Sequence, residues 1–148
     1  MEWKIKKYQD LTNDELYQIL KARVDVFVVE QNCTYPELDN YDQECMHYFL
    51  IIDNEIAANV RILPKQVKFD EVSIGRVLVV EKFRKNGYAR QIMQRAIDFV
   101  RDEWNENKIR IQAQVYLKDF YASLGFWQIS EMYMEDGIPH IDMIWERG

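Results

Sequence analysis

The sequence predicts a single mixed α/β domain, and three observations carry that reading. Apolar runs suited to strands recur through the middle of the chain, at residues 48–52, 56–63 and 72–80. Ile92, Met93, Ala96, Ile97 and Val100 then recur at helical spacing, and another apolar run follows at 109–115. This order gives antiparallel hairpins early and a strand–helix–strand unit later. At 148 residues the chain fits one domain, spanning 1–148, large enough to bury roughly 68–70% of its unfolded surface. It shows no internal repeat and no linker-like segment.

Residues 3–8 alternate and predict a first strand. Thr12-Asn13-Asp14-Glu15 is a capping box, with Thr12 as the cap and Glu15 reaching back. Leu16, Ile19, Leu20, Val24, Phe27 and Val28 give the next helix its apolar stripe. That helix stops before Cys33-Thr34-Tyr35-Pro36, because Pro36 disfavours helix in the residue before it. Arg23 falls inside this apolar helix and is a candidate internal ion-pair partner for an acid. The polar segment through Asp42 reads as a loop.

Asp53-Asn54-Glu55 makes a turn between strands 48–52 and 56–63, and Pro64 ends the second. The long helix runs from about residue 88 to 104, and Asn105-Glu106-Asn107 breaks it before the strand at 109–115. A short helix at 117–123 ends at Gly125, a suitable C-cap residue. Strands at 126–134 and 141–145 complete the chain around Glu135-Asp136-Gly137.

The net charge of −6 argues against a general nucleic-acid binder and suits a cationic or neutral substrate. Cys33 and Cys45 lack metal-ligand spacing, so no metal is expected, and a reducing cytoplasm is the simpler compartment. No N-terminal run resembles a signal peptide. No segment approaches the roughly 20 apolar residues of a membrane helix, and no membrane partner is expected.

The segment richest in chemical information runs from Val77 to Arg90. Leu78, Val79 and Val80 lie on a strand, Gly87 permits a tight turn, and Ala89 is small enough for close backbone approach. A helix beginning at Tyr88 directs unpaired N–H groups and its positive dipole end at an anion. Arg84, Lys85 and Arg90 add side-chain charge, with Asn86 in the turn. The competing reading is an ordinary solvated turn.

Tyr121, on the short helix between the core positions Phe120 and Leu124, is the leading side-chain candidate, as a general acid for a departing thiolate. The alternative is a packing tyrosine. His140, after Gly137-Ile138-Pro139, and His47 are the only histidines; His140 is a candidate base or a structural histidine. Glu30 and Glu81 are candidate bases or acceptor contacts, and either also reads as a surface carboxylate. Trp3, Trp104, Trp127 and Trp145 read as packing residues.

Arg84-Lys85-Asn86-Gly87-Tyr88-Ala89 resembles the pyrophosphate motif of the GNAT superfamily of N-acetyltransferases. Further blocks resemble the ElaA-type group within it: Val26-Phe27-Val28-Val29-Glu30-Gln31, Ile74-Gly75-Arg76-Val77, Ala113-Gln114, Phe120-Tyr121 with Gly125-Phe126, and Glu135-Asp136-Gly137-Ile138-Pro139-His140. Together they span about residues 16 to 143.

The resemblance implies a mixed sheet whose two central parallel strands, 73–80 and 109–115, splay to admit acetyl-CoA. Backbone groups of Leu78 and Val80 would pair with the pantetheine arm, and N–H groups of residues 84–89 would hold the pyrophosphate. Tyr121 would lie near the CoA sulfur. The expected chemistry is direct attack of a primary amine on the acetyl carbonyl, with a backbone donor near Val79 stabilising the oxyanion. The acceptor is a small molecule or a protein amine; the alternative is a non-catalytic acyl-CoA-binding or sensing module. The superfamily often dimerises, which makes a homodimer a candidate assembly, although no residue fixes an interface.

Overall fold

The computed structural model describes residues 1–147. Strands β1 (Glu2–Lys7), β2 (Met46–Ile52), β3 (Glu55–Leu63) and β4 (Val72–Val79) pair antiparallel in that order. β5 (Lys108–Gln114) then joins β4 in parallel, and β8 (Ile138–Glu146) joins β5 antiparallel. Two short strands, β6 (Trp127–Gln128) and β7 (Tyr133–Glu135), both pair with β8.

Helices cover both faces of this sheet. On one, α2 (Tyr88–Asp102) buries Ile92, Met93, Ala96, Ile97 and Val100 against Leu50, Val60, Ile62, Ile74 and Ile111. These five are the residues whose spacing predicts the helix; burying each large one contributes about 1.5–3 kcal/mol. On the other face, α1 (Asn13–Arg23) packs Ile19 and Ala22 against Phe49, Ile56 and Leu78. The capping box is present: Glu15 N–H donates to Thr12 Oγ1 at 3.0 Å, and Thr12 N–H donates to Glu15 Oε1 at 2.9 Å. The remaining short helix is α3 (Lys118–Ser123).

Three expectations need correction. The buried residues of α1 are Glu15, Ile19, Ala22 and Arg23, continued by Val26 just beyond it, whereas Leu16, Leu20 and Val24 are only half-buried. Arg23 turns inward to pair with Glu37 and Asp42, in the internal ion-pair role that its place in the apolar helix predicts. After Arg23 the helix widens into π-helical winding over Val24–Glu30. The strand expected at 126–134 breaks in two, and Ile129 and Ser130 bond the backbone of Asp142 between the pieces. The last strand begins at Ile138, three residues before the expected start at 141. Among the described residues no helix is long and apolar enough to cross a membrane.

Candidate active site

β4 and β5 pair through only Val72 with Ile109 and Ser73 with Arg110 before they part. The opening is a cleft of about 770 Å³. Midway along β4 there is a bulge: Arg61 on β3 faces Gly75, but Asn59 faces Leu78, so three steps on β4 match two on β3. Arg76 within it takes φ +53°.

The bulge decides which backbone groups face the cleft. Val80 N–H donates to Ala57 O at 2.9 Å, and Val80 O accepts from Phe83 N–H at 2.8 Å. Ladder groups alternate sides, so Leu78 also turns its N–H and C=O toward β3 while Val79 turns its own into the cleft. Arg84 Nε, donating to Val79 O at 2.8 Å from the open side, agrees with that alternation. With the Leu78 and Val80 groups serving the sheet, Val79 N–H is the backbone donor that this end of β4 presents to the cleft.

At the cleft mouth, Gly87 caps α2 with φ +78°, and no side chain bonds the N–H groups of that helix end. A Cβ at Gly87 would meet nothing within 4 Å, so conformation rather than space requires glycine here. The first turn holds no acidic residue. Asn86 braces the turn by donating to Phe83 O at 2.9 Å and Arg84 O at 3.2 Å. Lys85, Gly87, Tyr88 and Ala89 line the cleft. Unpaired N–H groups and the positive dipole end make this an anion cradle suited to a pyrophosphate. The side chain of Arg84 also lines the cleft but is engaged with protein groups, gripping Glu30 at 2.8 and 3.1 Å, while Arg90, outside the lining, donates to Ser123 Oγ at 2.8 Å.

Tyr121 lines the cleft and is 7% exposed. Burial, with a smaller contribution from Tyr116, pushes its hydroxyl up to about 12, so the phenol holds its proton at neutral pH. His140 also lines the cleft and stacks on Tyr133, with ring centroids 6.0 Å apart. Its Nδ1 lies 2.7 Å from Ile138 O, a carbonyl that can only accept, so Nδ1 is the donor there, while Nε2 lies 3.9 Å from Glu135 Oε2. Glu30 lines the cleft as the ion-pair partner of Arg84, whereas Glu81 lies in an exposed turn and is not among the lining residues. His47 is buried away from the cleft lining, 2.9 Å from Asp42 O, and burial lowers its pKa. Cys33 and Cys45 are both free and buried. No group of three or more His, Cys, Asp or Glu among the described residues is arranged to hold a metal ion.

The polar loop at 31–45 contributes more than its composition suggests. Its Glu37, Asp39 and Asp42 meet Arg23, Arg61 and Arg76 in a buried cluster. Arg61 donates to Asp39 and Asp42 at 2.5 and 2.9 Å. Burial alone would raise the Asp39 carboxyl, but the hydrogen bond and charge of Arg61, with the charge of Arg76, hold it well below the usual range. Asp42 is held down in the same way by Arg23 and Arg61 against its own burial. Tyr35, Asp39 and Tyr41 from this loop line the end of the cleft away from the anion cradle, with Lys68 and Gln112. The sequence signal for these residues is faint: acids spaced two and three apart after Pro36 resemble any solvated loop.

Residues 9–147 match the model of the acetyltransferase (GNAT) domain. The chain belongs to the GNAT family. It is similar to an acyl-CoA N-acyltransferase from Pseudomonas aeruginosa, at 35% identity and a TM-score of 0.92, covering 98% of this chain and 99% of that one. Protein ElaA of Escherichia coli is 37% identical over 97% of this chain and 95% of its own length. The crystal structure of E. coli ElaA superposes with a TM-score of 0.92. A UPF0039 protein of Schizosaccharomyces pombe is 41% identical over 97% of this chain and 95% of its own. The mixed sheet with its parted parallel pair is thus the GNAT fold, and acetyl-CoA is the ligand that this family membership implies. The anion cradle and the inward-facing Val79 N–H fit that ligand.

Proposed function

We propose that this protein transfers an acetyl group from acetyl-CoA to a primary amine, and that it is an ElaA-type enzyme. The observation that carries the reading is the alignment of three features along one cleft: uncapped N–H groups at Gly87 and α2, the inward-facing N–H of Val79, and the protonated Tyr121. The cradle binds the pyrophosphate, the parted strands take the pantetheine arm, and Val79 N–H is directed to the thioester carbonyl.

An amine held beside the thioester attacks its carbonyl carbon, and the C–S bond breaks as the N–C bond forms. Tyr121 hands its proton to the departing thiolate. That help is modest, since a thiol ionises near 8.5 even without it. His140 Nε2 takes the proton that the attacking nitrogen sheds, directly or through a water. Tyr35, Asp39, Tyr41 and Gln112 form the acceptor end, whose mixed polarity suits a small polar amine.

Calorimetric titration with acetyl-CoA, followed by thiol-release assays on a panel of amines, tests this reading. Saturable binding that Gly87→Trp abolishes in a folded variant, with turnover on at least one amine, is the expected result. Binding without turnover on a broad panel would instead identify a non-catalytic acyl-CoA-binding module. Absence of binding by folded wild type would overturn the proposal altogether.

A further inference from the structure

We propose that Glu37, acting through Arg76, is a positioning residue for acetyl transfer: it holds the β4 bulge that turns Val79 N–H toward the thioester. This rests on the acetyl-CoA reading above and goes beyond it to residues that touch no reacting atom.

A non-glycine residue at φ +53° is strained and persists only where neighbours fix it. Arg76 is fixed from two sides. On one, Asn59 Nδ2, fully buried, donates to Arg76 O at 3.3 Å. On the other, Arg76 Nε donates to Glu37 Oε2 at 2.5 Å, and an Nη of Arg76 donates to Glu37 O at 3.0 Å. Glu37 is itself immobilised: Arg23 Nε donates to the same Oε2 at 2.8 Å, and Tyr35 OH donates to Oε1 at 2.7 Å. With 4% exposure, it is a buried node between α1, the 31–45 loop and β4.

The position of the bulge gives this clamp its consequence. Arg61, Asn59 and Ala57 turn the same side of β3 toward β4. Continuing the Arg61–Gly75 register without an extra residue would set Asn59 against Val77 and Ala57 against Val79. Val79 N–H would then be spent on the sheet, and Leu78 and Val80 would face the cleft. The inserted residue reverses that parity. Because the clamp comes from the loop that also supplies Tyr35, Asp39 and Tyr41, one carboxylate links the acceptor end of the cleft to the group that polarises the donor.

The test is isotope-edited infrared spectroscopy of acetyl-CoA carrying a ¹³C carbonyl, bound to wild type, Glu37→Gln, Arg76→Ala and Arg76→Gly. In wild type the bound carbonyl band should move to lower wavenumber than in free acetyl-CoA. Glu37→Gln and Arg76→Ala should lose at least half of that shift while calorimetry still shows saturable CoA binding. Arg76→Gly should keep more than Arg76→Ala, because glycine adopts positive φ without strain. If Glu37→Gln does not fold, the two Arg76 variants decide alone. An unshifted band in wild type, or an undiminished shift in the folded variants, overturns the positioning role and leaves acetyl-CoA binding standing. Failure of wild type to bind CoA or acetyl-CoA overturns the underlying reading instead.

Discussion

Arg84 reaches back to Val79, its Nε 2.8 Å from that carbonyl, while its Nη2 donates to both carboxylate oxygens of Glu30. The arginine of the phosphate turn thus pins the end of β4 and the end of the first helix together. In the proposed complex the anion is held by backbone N–H groups at Gly87 and the first turn of α2.

Arg84→Ala should therefore weaken acetyl-CoA and CoA binding alike, by loosening the strand end rather than by removing a phosphate contact. The pair is partly exposed, so about 0.5–1.5 kcal/mol is expected, or roughly 2- to 12-fold in Kd. Calorimetry with both ligands measures this. A loss that vanishes when the ligand lacks its phosphates would assign Arg84 to the anion directly.

Gly87→Ala should destabilise the protein without any clash, because the conformation at φ +78° is the only obstacle. The expected cost is about 1–2 kcal/mol, or roughly 2–8 °C in Tm for a domain of this size. Gly87→Asn should cost less, since asparagine visits this region more readily. Thermal melts of the three proteins give the ranking.

Much of this architecture is legible in the sequence because it depends on local pattern. Thr12 and Glu15 form the capping box that their spacing predicts, and the apolar set from Ile92 to Val100 is the buried face of α2. The departures share a physical cause, namely partners distant in the chain. Arg23 is legible as an internal ion-pair partner, but that its acids are Glu37 and Asp42 is not. The change of parity between Leu78 and Val79 follows from a single inserted residue, which hydropathy cannot show. Gly75 next to Arg76 is the only local hint of that bulge.

Acid should expose a separate dependence at Glu15. Burial tends to raise its carboxyl, but hydrogen bonds from Lys6, the Thr12 N–H and Lys4 outweigh it and bring it from 4.5 to about 2. A group lowered in the folded state stabilises it fully above its unfolded value and loses that contribution as pH falls through the folded one. The stability difference between wild type and Glu15→Gln should hold steady above about pH 5 and shrink towards pH 2. Denaturant melts across that range check it; a gap that widens on acidification would contradict the assignment.

Cys45 should be inert in the native protein. Burial, opposed by the charge of Arg61, pushes its thiol up to about 12, and the thiolate is the reactive form. Alkylation at pH 8 followed by peptide mass mapping should leave Cys45 unmodified until denaturant is added. Rapid native labelling at Cys45 would show that its surroundings open.

The most direct test of the central claim is a titration of ¹⁵N-labelled protein with acetyl-CoA, followed at assigned backbone amides. The account predicts saturable shifts concentrated at Val79 and at Gly87, Tyr88, Ala89 and Arg90, with much smaller changes at Leu78 and Val80, whose N–H groups remain in the sheet. Saturation with those five amides unmoved, or with the principal shifts at Leu78 and Val80, would contradict it.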